Sequence, residues 1–155
     1  MAANCQFAFA VHLLTLLAHK AGEPMTSSAL AASVNTHPVV IRRLLATLSR
    51  AGIVVTGKGS QAGSRLQRSP SEITLGEVFR ITMPASSAAL YPHGPNKRCL
   101  IGHNIEGVLI TILGSARAAF EEALGNYTLA DVLARVAEGA DEIPKPISSK
   151  AAASA

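Results

Sequence analysis

The run SALAASVNTHPVVIRRLLATLSRAGIV, Ser28 to Val54, decides how this chain is read. Two short helices crossing steeply over a tight turn need a small residue at the crossing and branched apolar residues facing back. Ala31 supplies the small contact, and Leu30 and Val34 line the inner face. Asn35 stands where the turn needs a residue tolerant of left-handed geometry. Pro38 suits a first helical turn, and Ile41 opens a buried stripe continued by Leu44, Leu45 and Leu48. The opposite face then carries Val39, Arg43, Ala46 and Arg50, with Arg42 at its flank. The spacing predicts a helix-turn-helix whose second helix presents arginines and no acid, which suits a phosphate-lined groove.

Downstream, Gly52 is placed for a left-handed helix cap, and Ile53 to Thr56 reads as a strand. Residues 57–63 form a glycine-containing tip, and Ser64 to Gln67 returns as a second strand. A basic hairpin directly after a helix-turn-helix is the pattern of a winged helix. In that arrangement the second helix enters the major groove and the hairpin lies across the backbone or minor groove. The candidate DNA-binding residues are therefore Thr36 and His37 in the turn, Val39, Arg42 and Arg43 on the second helix, and Lys58, Gln61, Ser64 and Arg65 in the wing.

Charge placement agrees with that reading. The net charge is only +4, yet no Asp or Glu occurs from Pro24 to Ser71, where Arg42, Arg43, Arg50, Lys58, Arg65 and Arg68 all fall. Residues 73–155 carry seven basic and eight acidic groups and are nearly neutral. A merely solvated basic face would normally include carboxylates, so the asymmetry points to a polyanion-binding half joined to a different half.

Upstream, the helix expected from Asn4 to His19 is apolar nearly all round. Such a helix needs cover on several sides, from its own domain and from a second subunit. It lacks the basic start of a secretion signal and is interrupted by His12 and Thr15. No stretch approaches the length of a membrane span, so no membrane partner is expected. Two cysteines, Cys5 and Cys99, are too few for a disulfide framework and fit a reducing, cytoplasmic setting. Cys5 and His12 share one helix face; a buried thiol and a hydrogen-bonded imidazole account for them more simply than a metal pair shared across a dimer.

With aromatics at 4% and no Trp, the core must come from Leu, Ile, Val and Ala, which favours close-packed helices. A helix is expected from Thr74 to Thr82, then a small-residue and proline loop from Pro84 to Pro95. From Ile101 to Leu124 an apolar stripe (Ile105, Val108, Leu109, Ile112, Leu113, Ala116, Ala119, Phe120) recurs at helical spacing. A last helix spans Thr128 to Gly139, and residues 141–155 have the composition of a disordered tail. The fold class is mainly α with a small β-hairpin wing. No phosphate loop, nucleotide fingerprint, paired carboxylates or Ser/His/Asp set can be located, which argues against an enzyme. The other functional class open to this pattern is a helical protein–protein adaptor that uses a winged-helix fold without DNA.

The run from Ser28 to Val54, together with ITLGEVFRI (Ile73–Ile81), PNKRCLIGHNIEGVL (Pro95–Leu109) and TLADVLA (Thr128–Ala134), resembles the Rrf-two (BadM-like) family of transcription regulators. The resemblance extends from Phe7 to Leu133. It implies a homodimer formed largely through the long helix, binding palindromic operator DNA, usually as a repressor. The implied organisation is a winged helix-turn-helix at 1–83, a sensor or linker loop at 84–100, dimerisation helices at 101–140 and the tail. Relatives that carry an iron–sulfur cluster hold it with three loop cysteines. Here only Cys99 matches, with Ser87 and His93 at the other two positions, so three-thiolate ligation is impossible and no cofactor or metal is expected. Cys99 follows Lys97 and Arg98 and precedes a helix, which makes it a candidate redox sensor; the alternative is a small helix-start residue with no sensing role.

Overall fold

Polar side chains mark four of the helix starts. Thr26, His37, Thr74 and Thr128 each accept a backbone N–H from the first turn of the helix that follows. In this computed structural model, residues 5–57, 59, 62–83, 90–91 and 93–139 are described. They form α1 (Gln6–His19), α2 (Ser27–Val34), α3 (Pro38–Arg50), β1 (Val54–Gly57), β2 (Gly63–Leu66), a 3-10 turn (Pro70–Glu72), α4 (Leu75–Thr82), α5 (Leu100–Gly125) and α6 (Leu129–Ala137). The expected elements are all present, with ends shifted by one or two residues. The tail at 141–155 lies outside the described residues.

The core is aliphatic, as the composition requires. Leu13, Leu14 and Leu17 of α1 pack with Leu30 and Val34 of α2, Ile41 and Leu48 of α3, and Ile53, Ile73 and Val78. Asn35 adopts the left-handed conformation at φ 56°, closing α2 so that the Thr36 N–H reaches the Ala31 carbonyl at 3.0 Å. The strands pair antiparallel, with Val54 opposite Leu66 and Val55 opposite Arg65.

Two packing features go beyond the sequence pattern. First, α6 folds back on α1 instead of continuing with α5. Leu129 is fully buried in the common core, its N–H reaches the Ile73 carbonyl at 2.8 Å, and Leu75 N–H reaches Tyr127 at 2.9 Å. Residues 129–137 thus share the core of the winged helix, whereas the sequence grouped them with α5. Second, Arg68 at the wing exit makes a two-pronged ion pair with Glu77 of α4 (2.7 and 2.9 Å) and also donates to the Glu72 carbonyl. The Glu77 hydrogen bond, helped by the charges of Glu77 and Glu72, holds the guanidinium pKa above its ordinary value.

The long helix α5 has no buried residue. Its C-terminal half is clamped to α4. Phe79 stacks edge-on between Phe7 and Phe120, with centroids 5.5 and 5.0 Å away, and the Arg117 guanidinium lies 4.8 Å over the Phe79 ring. Arg117 also pairs with Glu121 at 2.9 Å and donates to the Met83 carbonyl. Gly76 lies flush against α5: a Cβ there would sit 2.7 Å from the Glu121 carbonyl oxygen and 3.0 Å from the Gly125 nitrogen. Toward the N-terminal half, Leu100, Ile101, Val108, Ile110, Ile112 and Leu113 are all at least half exposed. Among the described residues, no helix is long and apolar enough to cross a membrane.

Candidate nucleic-acid interface

The helix-turn-helix and the wing are laced together by the short segment that precedes α2. Met25 and Ser64 exchange backbone hydrogen bonds of 2.9 and 2.8 Å, so this segment pairs with β2 and the hairpin stands beside the start of α2. Gly63 at φ 139° makes the approach possible, since a Cβ would meet Pro24 and the Met25 nitrogen at 3.0 Å. Between α3 and the hairpin this leaves a cleft of about 640 Å³, with Thr26, Ser27, Arg42, Ala46, Ser49 and Thr56 among its lining. Among the described residues, no carboxylate lines it.

The cleft relocates several candidates. Arg42, read as a flank residue, projects from the face of α3 that looks on to the cleft, together with Ala46 and Ser49. Arg43 and Arg50 are exposed, and Arg50 donates to the Thr47 hydroxyl at 3.3 Å. Val39 is half-buried, as is Thr36. His37 serves as the cap of α3: Val39 N–H donates to its Nδ1 at 3.2 Å, which in the neutral ring leaves the proton on an outward Nε2. Arg65 is half-buried opposite Val55.

Ser64 requires a correction. It is only 2% exposed, and its hydroxyl shares a 3.0 Å hydrogen bond with Thr56. Its side chain therefore holds the hairpin together and is not displayed as a contact group. Lys58 and Gln61 lie outside the described residues. Sequence reading missed Thr26, Ser27 and Ser49 as lining residues. Ser49 was within reach, since it lies two helical turns beyond Arg42 and therefore on the same face. The place of Thr26 and Ser27 depends on the Met25–Ser64 pairing, which no local pattern announces.

Away from the cleft, Cys99 is exposed at the N-terminal cap of α5. Backbone N–H groups of Gly102 and Ile101 hold its thiol below the ordinary pKa. The expected buried thiol at Cys5 is instead exposed, because it sits at the very start of α1, while His12 has its expected partner in the Ser33 hydroxyl at 3.0 Å. Ser87 is outside the described residues. Among the described residues no three His, Cys, Asp or Glu side chains converge as a metal site. With two cysteines in the whole chain, the donor set does not fit a cluster held by three thiolates.

The family model described as "Rrf2: Iron-dependent Transcriptional regulator" matches residues 3–135. The Bacillus subtilis protein named "Putative HTH-type transcriptional regulator YwnA" is 33% identical over 130 residues, covering 84% of this chain and 96% of that protein. The HTH-type transcriptional regulator NsrR of Geobacillus kaustophilus is 32% identical over 111 residues, covering 68% of this chain and 69% of the relative. A crystal structure from Lactobacillus plantarum superposes with a TM-score of 0.73 at 27% identity, covering 86% of this chain and 91% of the other. A winged helix-turn-helix with an acid-free cleft, matched along its length to these proteins, is a non-enzymatic, DNA-binding transcription regulator, and the chain belongs to the Rrf2 family.

Proposed function

We propose that two copies of this chain associate and bind palindromic operator DNA as a cytoplasmic repressor that needs no resident metal cluster. The observation that carries the reading is the carboxylate-free cleft between α3 and the wing, with Arg42 on its wall and Arg43 exposed next to it. Guanidinium groups so placed neutralise phosphates and release condensed counterions. The N-terminus of α2, where Thr26 and Ser27 line the same cleft, adds the positive end of a helix dipole. In this reading residues 1–83 grip DNA, 84–100 form the linker and sensor loop, and α5 joins the subunits. Two α3 helices then enter major grooves about one duplex turn apart, roughly 34 Å. The exposed apolar side chains of α5 support association, because contiguous exposed apolar surface on a folded chain marks interaction sites.

Light scattering and gel shift on genomic fragments test this together. A particle of two 16.0 kDa chains is expected. Its DNA affinity should fall by about 10³-fold or more between 50 and 200 mM salt if six or more phosphates are contacted. Promoters that it binds should fire more strongly when the protein is depleted. A monomer, or a protein that ignores genomic DNA in dilute buffer, overturns the reading.

The Cys99 thiolate supplies the signal in the same proposal. Its depressed pKa and exposure suit attack on a peroxide: the sulfur takes one oxygen as the O–O bond breaks, sulfenic acid forms, and the departing hydroxide is protonated to water. Peroxide is expected to change the operator affinity of the native protein about tenfold and to leave Cys99→Ser unaffected. An equal response in both proteins refutes this role.

A further inference from the structure

Helix α3 begins without a backbone donor to offer. Pro38, its first residue, has no N–H. The Val39 N–H donates to His37 Nδ1 at 3.2 Å, and the Val40 N–H donates to the His37 carbonyl at 2.9 Å. Just upstream, the Thr36 N–H is taken by the Ala31 carbonyl. A helix N-terminus ordinarily turns free N–H groups toward an anion, and here the first three helical positions have none to turn. Across residues 36–41, His37 is the one exposed polar side chain; Thr36 is half-buried, and Pro38, Val39, Val40 and Ile41 are apolar. Its ring is also held in place. His37 has extended backbone (φ −78°, ψ 138°), and its Nδ1 lies back over the first turn as the N-cap acceptor. A nitrogen that accepts from Val39 keeps its lone pair, so the neutral ring carries its proton on Nε2. The imidazole therefore presents one donor and no acceptor to whatever lies beyond the start of α3.

We propose that His37 is a specificity-determining residue, whose Nε2–H donates to N7 of a purine at one fixed position of each half-site. This rests on the reading that α3 enters the major groove, and deepens it by naming the base edge met there. N-terminal residues of a recognition helix are the ones that reach base edges. In the major groove guanine and adenine both present N7 as an acceptor, thymine presents O4 beside its methyl group, and cytosine presents an amino donor. A ring fixed as a donor is complementary to a purine and opposed by cytosine, where donor would face donor. A rotating hydroxyl at the same place, able to donate or accept, would make no such choice. The cap thus does two things: it closes the start of α3 and sets the tautomer that reads the base. No Asp or Glu occurs from Pro24 to Ser71, so no carboxylate of α2, α3 or the wing competes for that proton.

Purine analogues test this on the full chain. Operators are first selected from random duplexes. Then 7-deazaguanine or 7-deazaadenine, which keep Watson–Crick pairing and lack N7, is placed at each purine in turn. At one position per half-site the native protein should lose affinity about fivefold, the worth of one hydrogen bond. His37→Ser keeps an N-cap acceptor and removes Nε2–H, so its melting should stay native while that penalty disappears. Selection with His37→Ser should then accept any base at that position. The slope of affinity against salt should not change, because a neutral imidazole displaces no counterion. A native protein indifferent to N7 at every purine overturns the proposal, whatever the variant does. So does a His37→Ser protein that keeps the N7 penalty and weakens on all sequences alike, which would place the ring on a phosphate. If the native protein selects no duplex at all, the DNA-binding reading fails and the base assignment fails with it.

Discussion

Gly76→Ala is expected to destabilise the protein by about 1–3 kcal/mol, although it adds a single methyl group. The cause is the neighbour that methyl would meet. Its Cβ would lie 2.7 Å from the Glu121 carbonyl oxygen and 3.0 Å from the Gly125 nitrogen, both backbone atoms of a continuous helix. A flexible side chain could swing aside; a helix backbone has to translate as a unit. That translation would pull Phe120 off Phe79, now 5.0 Å apart, and strain the ion pair of Arg117 with Glu121. At about 2–4 °C per kcal/mol for a chain of this size, the midpoint of thermal unfolding should drop by several degrees. Gly107→Ala is the control, because nothing lies within 4 Å of its added methyl, and there the change should stabilise the helix. Equal melting of native and Gly76→Ala proteins would show that the crossing is looser than described.

Arg42→Ala should cost about tenfold in operator affinity per subunit, hence roughly a hundredfold in a dimer. That is close to the worth of one charge-assisted hydrogen bond at each site. Removing a phosphate contact should also lower the salt slope by about one per subunit, which a change in shape would not do. Arg42 is exposed, so the melting midpoint should move little. Arg68→Ala is the informative contrast. By sequence it is one more cation in the acid-free stretch, but in the fold its charge is met by Glu77 at 2.7 Å. It should therefore lose stability, by about 1–2 kcal/mol for a partly exposed two-pronged pair, and leave the salt slope unchanged. If Arg42→Ala keeps the native slope, the cleft is not the contact surface.

That contrast shows what could be read from the chain and what could not. Helix starts were legible because a cap is a local device: Thr26 and Thr74 act on N–H groups three residues away. The turn at Asn35 and the buried stripe from Ile41 to Leu48 were legible for the same reason, since each follows from near-neighbour geometry. Ser64 was misjudged because alternation in a four-residue strand leaves open which face the rest of the molecule will cover, and here Thr56 and the Met25 pairing cover it. The return of α6 to α1 was out of reach too. Its apolar face is plain in the sequence, but a neighbour 120 residues away is chosen by tertiary packing. Periodicity likewise revealed the stripe on α5 without saying whose surface would meet it.

The clamp at Gly76 has an effect on target choice. α5 is a 26-residue rod, about 39 Å long, held to its own domain near one end. In the dimeric reading a rotation of only about 5° at that grip carries the free end by roughly 3 Å, and the opposite winged helix travels with it. Spacing between half-sites is thus tuned by a pivot remote from any base. Small residues at this crossing are where relatives with differently spaced operators would be expected to diverge.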